Sequence, residues 1–95
     1  MIIGTCVIEL HLPGNASLKG KRSVLKPLLL RLRKEFNVSA AEIDLHDVWQ
    51  SARIALASVS TDAGRVQGQL EGAVRWIEAR YPNLQVVDWN IELLY

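Results

Sequence analysis

Hydrophobic and polar residues alternate along four segments of the chain. This period of two predicts β-strands, because successive side chains of a strand point to opposite faces of a sheet. Two intervening segments repeat apolar residues every three or four positions, a spacing that is typical of amphipathic helices. The predicted strands are residues 2–12, 38–44, 53–60 and 85–93, and the helices follow the first and third of them.

Capping residues mark where the two predicted helices begin. The Ser17 hydroxyl is suited to cap the first helix, and Thr61 or Asp62 is suited to cap the second. Pro27 lies inside the first helical pattern. Because proline has no N–H to donate, we expect a kink there and a Ser23 carbonyl left without its helical partner. The alternative is that the regular helix begins near Val24, with Pro27 in its first turn.

The order of the predicted elements is βαββαβ, which is the split-βαβ arrangement of ferredoxin-like folds. Right-handed crossover connections place both helices on one face of a four-stranded antiparallel sheet. The chain has 95 residues and no linker-like segment, and two separate cores would each be too small to support themselves. The sequence therefore predicts a single α+β domain over residues 1–95.

Composition narrows the classes of protein to which the chain can belong. Apolar residues make up 49% and charged residues 22% of the sequence, as in a folded globular domain. Cys6 is the only cysteine and there are two histidines, so the sequence predicts no disulfide, no metal site and no cofactor. No apolar run is long enough to cross a membrane and no signal-like segment begins the chain, so we expect a cytoplasmic protein.

Charge is strongly segregated, although the formal net charge is only +1. Residues 17–34 contain seven of the 11 basic residues and no acidic one, which gives this segment a charge of +7. The other four basic residues stand against 10 acidic ones, so the rest of the chain has a charge of −6. This asymmetry predicts one cationic side on the folded molecule.

The first helix is the strongest candidate for a binding surface. Cations in its first turns oppose the helix macrodipole, at a cost of about a few tenths of a kcal/mol each, and a bound anion would offset that cost. Four of its cations fall on one ridge of the helical wheel and could follow a phosphate backbone: Lys19, Arg22, Lys26 and Arg33. The alternative is a solvated helix face, or cations that pair with carboxylates such as Asp44 or Asp47. The predicted anion- or nucleic-acid-binding residues are Ser17, Lys19, Lys21, Arg22, Lys26 and Arg33.

The connection between the second and third predicted strands is a second candidate surface. A tryptophan among polar residues can stack on a base or anchor a partner protein, and neighbouring carboxylates can move protons or hold a cation. Alternatively, the tryptophan covers the end of the core and the aspartates cap turns. The predicted partner or base contacts are Asp44, Asp47, Trp49 and Gln50.

Several spaced motifs resemble one known family. The matching residues are 17–22 (Ser-Leu-Lys-Gly-Lys-Arg), 36–39 (Phe-Asn-Val-Ser), Glu42, Asp44, Asp47 and Trp49 with Gln50. In this order they resemble the YlxP-like bacterial family, a small domain of unknown function, over essentially the whole chain. The resemblance implies a ferredoxin-like fold and genes that often lie beside those of transcription-elongation and translation-initiation factors and a ribosome-binding factor. It implies no established biochemical activity.

Charge and family context together favour a non-enzymatic protein that contacts RNA or a ribosome-associated partner through the first helix. An alternative is a small enzyme acting on phosphorylated or acyl-phosphate compounds, because acylphosphatases share this fold class. Residues 12–17, the first strand-to-helix turn, lack the arginine and the glycine-rich phosphate cradle of such enzymes. A third hypothesis is a self-associating structural or regulatory domain. We also expect a homodimer, since the predicted sheet has two edge strands and one uncovered face.

Overall fold

Six elements of secondary structure build the protein, whose residues 1–95 are all described by a computed structural model. The elements occur in the predicted order βαββαβ. Their bounds are β1 (Ile2–His11), α1 (Leu18–Phe36), β2 (Ser39–Asp44), β3 (Ser51–Ser60), α2 (Ala63–Arg80) and β4 (Gln85–Leu94).

The four strands form one antiparallel sheet in the order β2-β3-β1-β4. β1 and β3 are therefore central, and β2 and β4 form the edges. Both helices pack on the same face of the sheet. Their buried side chains and those of the strands form a single hydrophobic cluster. The prediction of a ferredoxin-like split-βαβ fold is confirmed.

The hydrophobic core lies between the helices and the sheet. Every second residue along most of β1 and β3 is buried, and Ile8 and Ile54 are among them. Burying each such large side chain contributes roughly 1.5–3 kcal/mol to the stability of the fold. Cys6 belongs to the same row. Burial raises the pKa of its thiol to about 11, so at neutral pH Cys6 is protonated and is a core residue instead of a reactive thiolate.

The predicted capping residues Ser17 and Asp62 begin the two helices, and their side-chain oxygens accept bonds from backbone N–H groups. α1 is one helix from Leu18 through Pro27, so the alternative in which it begins near Val24 is wrong. Because Pro27 has no N–H, the Ser23 carbonyl has no donor four residues further along the helix. Neither helix has a stretch that is long and apolar enough to cross a membrane.

β4 departs from the predicted alternation, and β2 has a similar irregularity between Glu42 and Asp44. The sequence pattern places Val87 of β4 on the same face as Ile91 and Leu93, but the pairing with β1 contains a bulge at this point. Because a bulge adds one residue to a strand, the alternation changes face there. As a result Val86 packs against the core, whereas Val87 is exposed.

Candidate nucleic-acid interface

Five of the six predicted anion contacts lie on the surface of the molecule. Ser17 is exposed beside the start of α1, and four exposed cations follow it along the helix. None of these four forms an ion pair, since Lys21 and Arg53 are the only basic residues that take part in salt bridges. The alternative in which carboxylates neutralise the cations of the first helix therefore does not hold for these four, although it holds for Lys21, which pairs with Glu42. We call the four cations the cationic ridge: Lys19, Arg22, Lys26 and Arg33.

Arg33 is the member of the cationic ridge with a fixed partner. Its Nε and Nη2 donate to the carbonyl oxygen of Ala40 in β2, at 3.2 and 2.7 Å. These bonds hold one end of the ridge against the sheet edge while Arg33 stays exposed. The side chains of Lys19, Arg22 and Lys26 have no such bond, so they are free to adjust to a ligand.

The prediction that Lys21 binds an anion at the surface is wrong. The Lys21 side chain is only 2% exposed. Its Nζ donates to the carbonyl oxygens of Leu45, His46, Val48 and Ser51 at 2.6, 3.5, 2.8 and 3.0 Å. Because these partners take up its donors inside the protein, Lys21 is not available to a ligand anion.

Glu42 completes the surroundings of the Lys21 ammonium. Its Oε2 lies 2.9 Å from Nζ but has no hydrogen-bond partner, so the contact acts through charge. A buried ammonium costs several kcal/mol unless it is paired and hydrogen-bonded. The carboxylate and the carbonyl oxygens meet both conditions. We call this set the Lys21 ring: Lys21, Glu42 and the carbonyl groups of residues 45, 46, 48 and 51.

The Lys21 ring fixes the connection between β2 and β3, which we call the Trp49 loop (residues 45–50). Leu45 in this loop has a φ of 63°, a left-handed conformation that is uncommon for a leucine, and its carbonyl receives the shortest bond from Lys21. Asn15 donates from Nδ2 to the Trp49 carbonyl at 2.5 Å. These contacts bring the Trp49 loop beside the first turn of α1.

The predicted contacts in and near this loop have different surroundings. Trp49 is 52% exposed and is not among the residues packed against the core, so the alternative in which it covers the end of the core is wrong. The part of that alternative in which an aspartate caps a turn holds for Asp44, whose Oδ1 accepts from the Leu45 N–H at 2.8 Å. Gln50 donates from Nε2 to the Asn15 carbonyl at 3.3 Å, and Asp47 is exposed without an ion pair. Asp44 is separate from the others, because it binds Arg53 at 2.8 Å on the sheet face that no helix covers.

The sequence contained a signal for the buried position of Lys21. Lys21 lies three residues after Leu18 and four before Leu25, which is the spacing of the apolar stripe. The roles of Asn15 and the Leu45 carbonyl had no such signal, because they depend on contacts between distant segments. No three His, Cys, Asp or Glu side chains converge in a way that could hold a metal ion.

Comparison with known proteins establishes the family. The family described as "Protein of unknown function (DUF503)" matches residues 3–91. The chain belongs to the DUF503 family. The uncharacterized protein YlxP of Bacillus subtilis (strain 168) is 33% identical to this DUF503 chain over 84 residues, which cover 88% of the chain and 90% of YlxP. The predicted resemblance to a YlxP-like family is confirmed.

Solved structures of other proteins share the fold of this DUF503 chain. A candidate antibiotic biosynthesis monooxygenase from Deinococcus radiodurans superposes with a TM-score of 0.56 at 15% identity, covering 100% of the chain and 91% of that protein. A protein of unknown function from Nitrosomonas europaea gives a TM-score of 0.57 at 16% identity, covering 99% and 88%. At such low identity the likeness concerns the fold alone.

Proposed function

We propose that this DUF503 protein is a cytoplasmic, non-enzymatic binding protein that contacts RNA, free or within the ribosome, through the cationic ridge. The observation that carries the proposal is a row of unneutralised cations. The first turn of α1 has no acidic residue, and the ridge has no ion pair. Cations without counter-ions along a helix, two of them (Lys19 and Arg22) in its first turns, are suited to a phosphate backbone.

The Trp49 loop adds an aromatic contact to the same region. Its backbone is tied to the connection before α1 by Asn15 and to α1 itself by Lys21. Trp49, which is exposed, therefore belongs to a loop whose backbone meets the start of α1. Proteins that bind single-stranded nucleic acid combine a cationic track with aromatic rings on which bases stack.

The test compares two double variants that remove the same charge from the same helix. Lys19→Gln with Arg22→Gln removes two cations of the ridge, whereas Arg31→Gln with Lys34→Gln removes two exposed cations outside it. Binding to a single-stranded RNA is measured by fluorescence anisotropy between about 50 and 300 mM salt. Over this range the affinity of a protein that contacts several phosphates should fall by about tenfold or more. We expect the ridge variant to bind more weakly and to lose roughly 1.5 from the slope of log K against log salt. The control variant should change much less.

Co-sedimentation with ribosomal subunits at low and high salt extends the test to the ribosome. The proposal requires the parent to be retained in a salt-sensitive manner and the ridge variant to be released first. Equal retention of the parent and both double variants at every salt concentration would show that the ridge is only a solvated face.

Self-association through the uncovered sheet face is the second part of the proposal. Ile3 pairs with Val59 on one side and with Leu94 on the other, and Val59 and Leu94 are 63% and 61% exposed. These three side chains form an apolar patch across three strands on the face opposite the helices. Four strands of up to ten residues present roughly 600 Å², which is near the area that each partner buries in a standard interface.

We expect a homodimer at micromolar concentration, which sedimentation velocity can measure. Leu94→Arg should shift the distribution toward monomer, because it places a charge in the apolar patch. Leu30→Arg is the matched control, since Leu30 is similarly exposed but lies on α1. A parent that stays monomeric up to high micromolar concentration would contradict this part of the proposal.

A further inference from the structure

A groove of about 520 Å³ lies between the first half of α1 and the C-terminal end of α2. Residues of the connections that precede α1 and follow α2 also line it, among them Pro82 and Asn83. This volume is within the range of pockets that hold small organic ligands. The walls are mostly uncharged, and the side chains of Tyr81 and Pro27 are among them.

The groove opens onto the cationic ridge. A second, shallower hollow is lined by Arg22 and Lys26 of the ridge together with Ser23, Pro27 and Leu30. Ser23 and Pro27 also line the groove, so the two hollows share a wall. A strand whose phosphates follow the ridge therefore passes the mouth of the groove.

The groove holds one cation without a counter-ion. Arg80 lines it and forms no salt bridge, and its guanidinium lies 5.9 Å from the centre of the Trp76 ring. No carboxylate lines either hollow. Charge complementarity therefore favours an anionic ligand, and a guanidinium matches the oxygens of a phosphate in particular.

The groove wall also offers an acceptor that the fold leaves without its usual donor. Pro27 has no N–H for the Ser23 carbonyl four residues earlier, and both residues line the groove. A ligand that carries an N–H donor could bond there. The combination of a phosphate, a planar apolar body and an N–H donor is that of a nucleotide, whose base edge supplies the donor.

We propose that the groove binds one unstacked nucleotide of the RNA strand whose phosphates lie on the cationic ridge. Arg80 binds a phosphate of that nucleotide, and the base edge donates to the Ser23 carbonyl. This inference rests on the proposed RNA-binding function as regards the strand. The groove itself can be tested with a mononucleotide.

The experiment is an amide NMR titration of the full chain with adenosine 5′-monophosphate, with inorganic phosphate as a separate arm. We expect shifts at Ser23, Arg80 and Asn83 with the mononucleotide and much smaller ones with phosphate. Arg80→Ala should weaken mononucleotide binding by about tenfold, the value of a lost charged hydrogen bond. Arg75→Ala is the matched control, because Arg75 is an exposed arginine of the same helix that does not line the groove.

A second variant fills the groove without changing charge. Ser23→Phe keeps the Ser23 backbone carbonyl but places a ring at the shared wall, so it should abolish the shifts while its circular dichroism and melting temperature show a folded protein. The same variants are then measured with single-stranded RNA, where Arg80→Ala and Ser23→Phe should weaken binding and Arg75→Ala should not.

Each outcome separates the groove from the ridge. Absence of shifts in the groove overturns the inference, even if RNA binds the ridge in a salt-dependent manner. Equal shifts with inorganic phosphate also overturn it, because the site would then be a simple anion site. Groove shifts with the mononucleotide, in a protein whose ridge variants bind RNA as the parent does, would support the groove and contradict the ridge.

Discussion

The two faces of α1 carry the same kinds of cation in opposite surroundings. Lys19 and Lys21 are two residues apart, yet Lys19 is exposed without a partner and Lys21 is buried among carbonyl oxygens. The difference comes from the Trp49 loop, which aims its backbone carbonyl groups at one face of the helix. A cluster of cations in a sequence is therefore not one site, because backbone acceptors elsewhere in the chain decide which cations remain free.

The buried Lys21 ammonium holds the Trp49 loop in place at the surface. An ammonium group has three N–H donors, and the carbonyl groups of Leu45, Val48 and Ser51 lie closest to it. Without Lys21 these carbonyl groups would have to find water or remain unpaired. The Lys21 ring thus cross-links α1 to the loop that carries Trp49, so the position of the exposed tryptophan depends on a buried residue.

The largest expected effect is on the stability of Lys21→Met. This substitution keeps much of the side-chain volume but leaves the Glu42 carboxylate and several carbonyl groups without their cation. Removing one partner of a buried ion pair costs about 3–5 kcal/mol, so the free energy of unfolding in urea should fall by that order. Lys19→Met is the matched control and should stay within about 0.5 kcal/mol of the parent. Equal effects of the two substitutions would mean that the faces of α1 do not differ as described.

The fold could be predicted from the sequence because its signals are periodic and local. The alternation in β1 and β3, the helical spacing in α2 and the caps Ser17 and Asp62 all appear in the structure as expected. The bulge in β4 could not be predicted in this way. It depends on how that strand pairs with β1, and a period-two pattern cannot show an extra residue in advance.

The candidate site was predictable only in part. Helical spacing grouped the four cations of the ridge, and the structure finds them all exposed on α1. The same helical spacing places Lys21 on the side of the helix that carries Leu25. The carbonyl groups that bind Lys21 could not be predicted, because they belong to a loop more than twenty residues away. The groove beside Arg80 was missed for a similar reason, since it forms where the ends of α1 and α2 meet.

The next largest effect concerns RNA affinity and Trp49. Trp49→Ala should weaken binding by about 1–3 kcal/mol if a base stacks on the ring, with little change in the salt slope, because stacking releases no counter-ions. Trp89→Ala is the control, since Trp89 is also exposed but lies on the edge strand β4. Anisotropy titrations at several salt concentrations separate the two contributions. A change of salt slope as large as that of the ridge variant would show that Trp49 does not act by stacking.

The smallest expected effect tests the contact that ties the Trp49 loop to the connection before α1. Asn15 donates to the carbonyl groups of Ser17 and Trp49, so Asn15→Ala should cost about 1 kcal/mol of stability. Asn90→Ala, on the exposed edge strand, is the control. Gly20 offers an independent way to break the same contact, because a Cβ there would lie 2.4 Å from the Asn15 Oδ1.

The two substitutions near Asn15 should therefore be strongly non-additive. In the Asn15→Ala background, Gly20→Ala should stabilise the protein by roughly 0.5 kcal/mol or less, since alanine is the better helix residue but the Ser17 Oγ, 3.2 Å from the new Cβ, must still shift. In the parent the same substitution displaces the Asn15 side chain and should lose that gain. Urea unfolding of the parent, both single variants and the double variant measures the coupling. If Gly20→Ala is equally stabilising in both backgrounds, the Asn15 bond to the Trp49 carbonyl does not hold the loop, and the Lys21 ring alone determines where Trp49 stands.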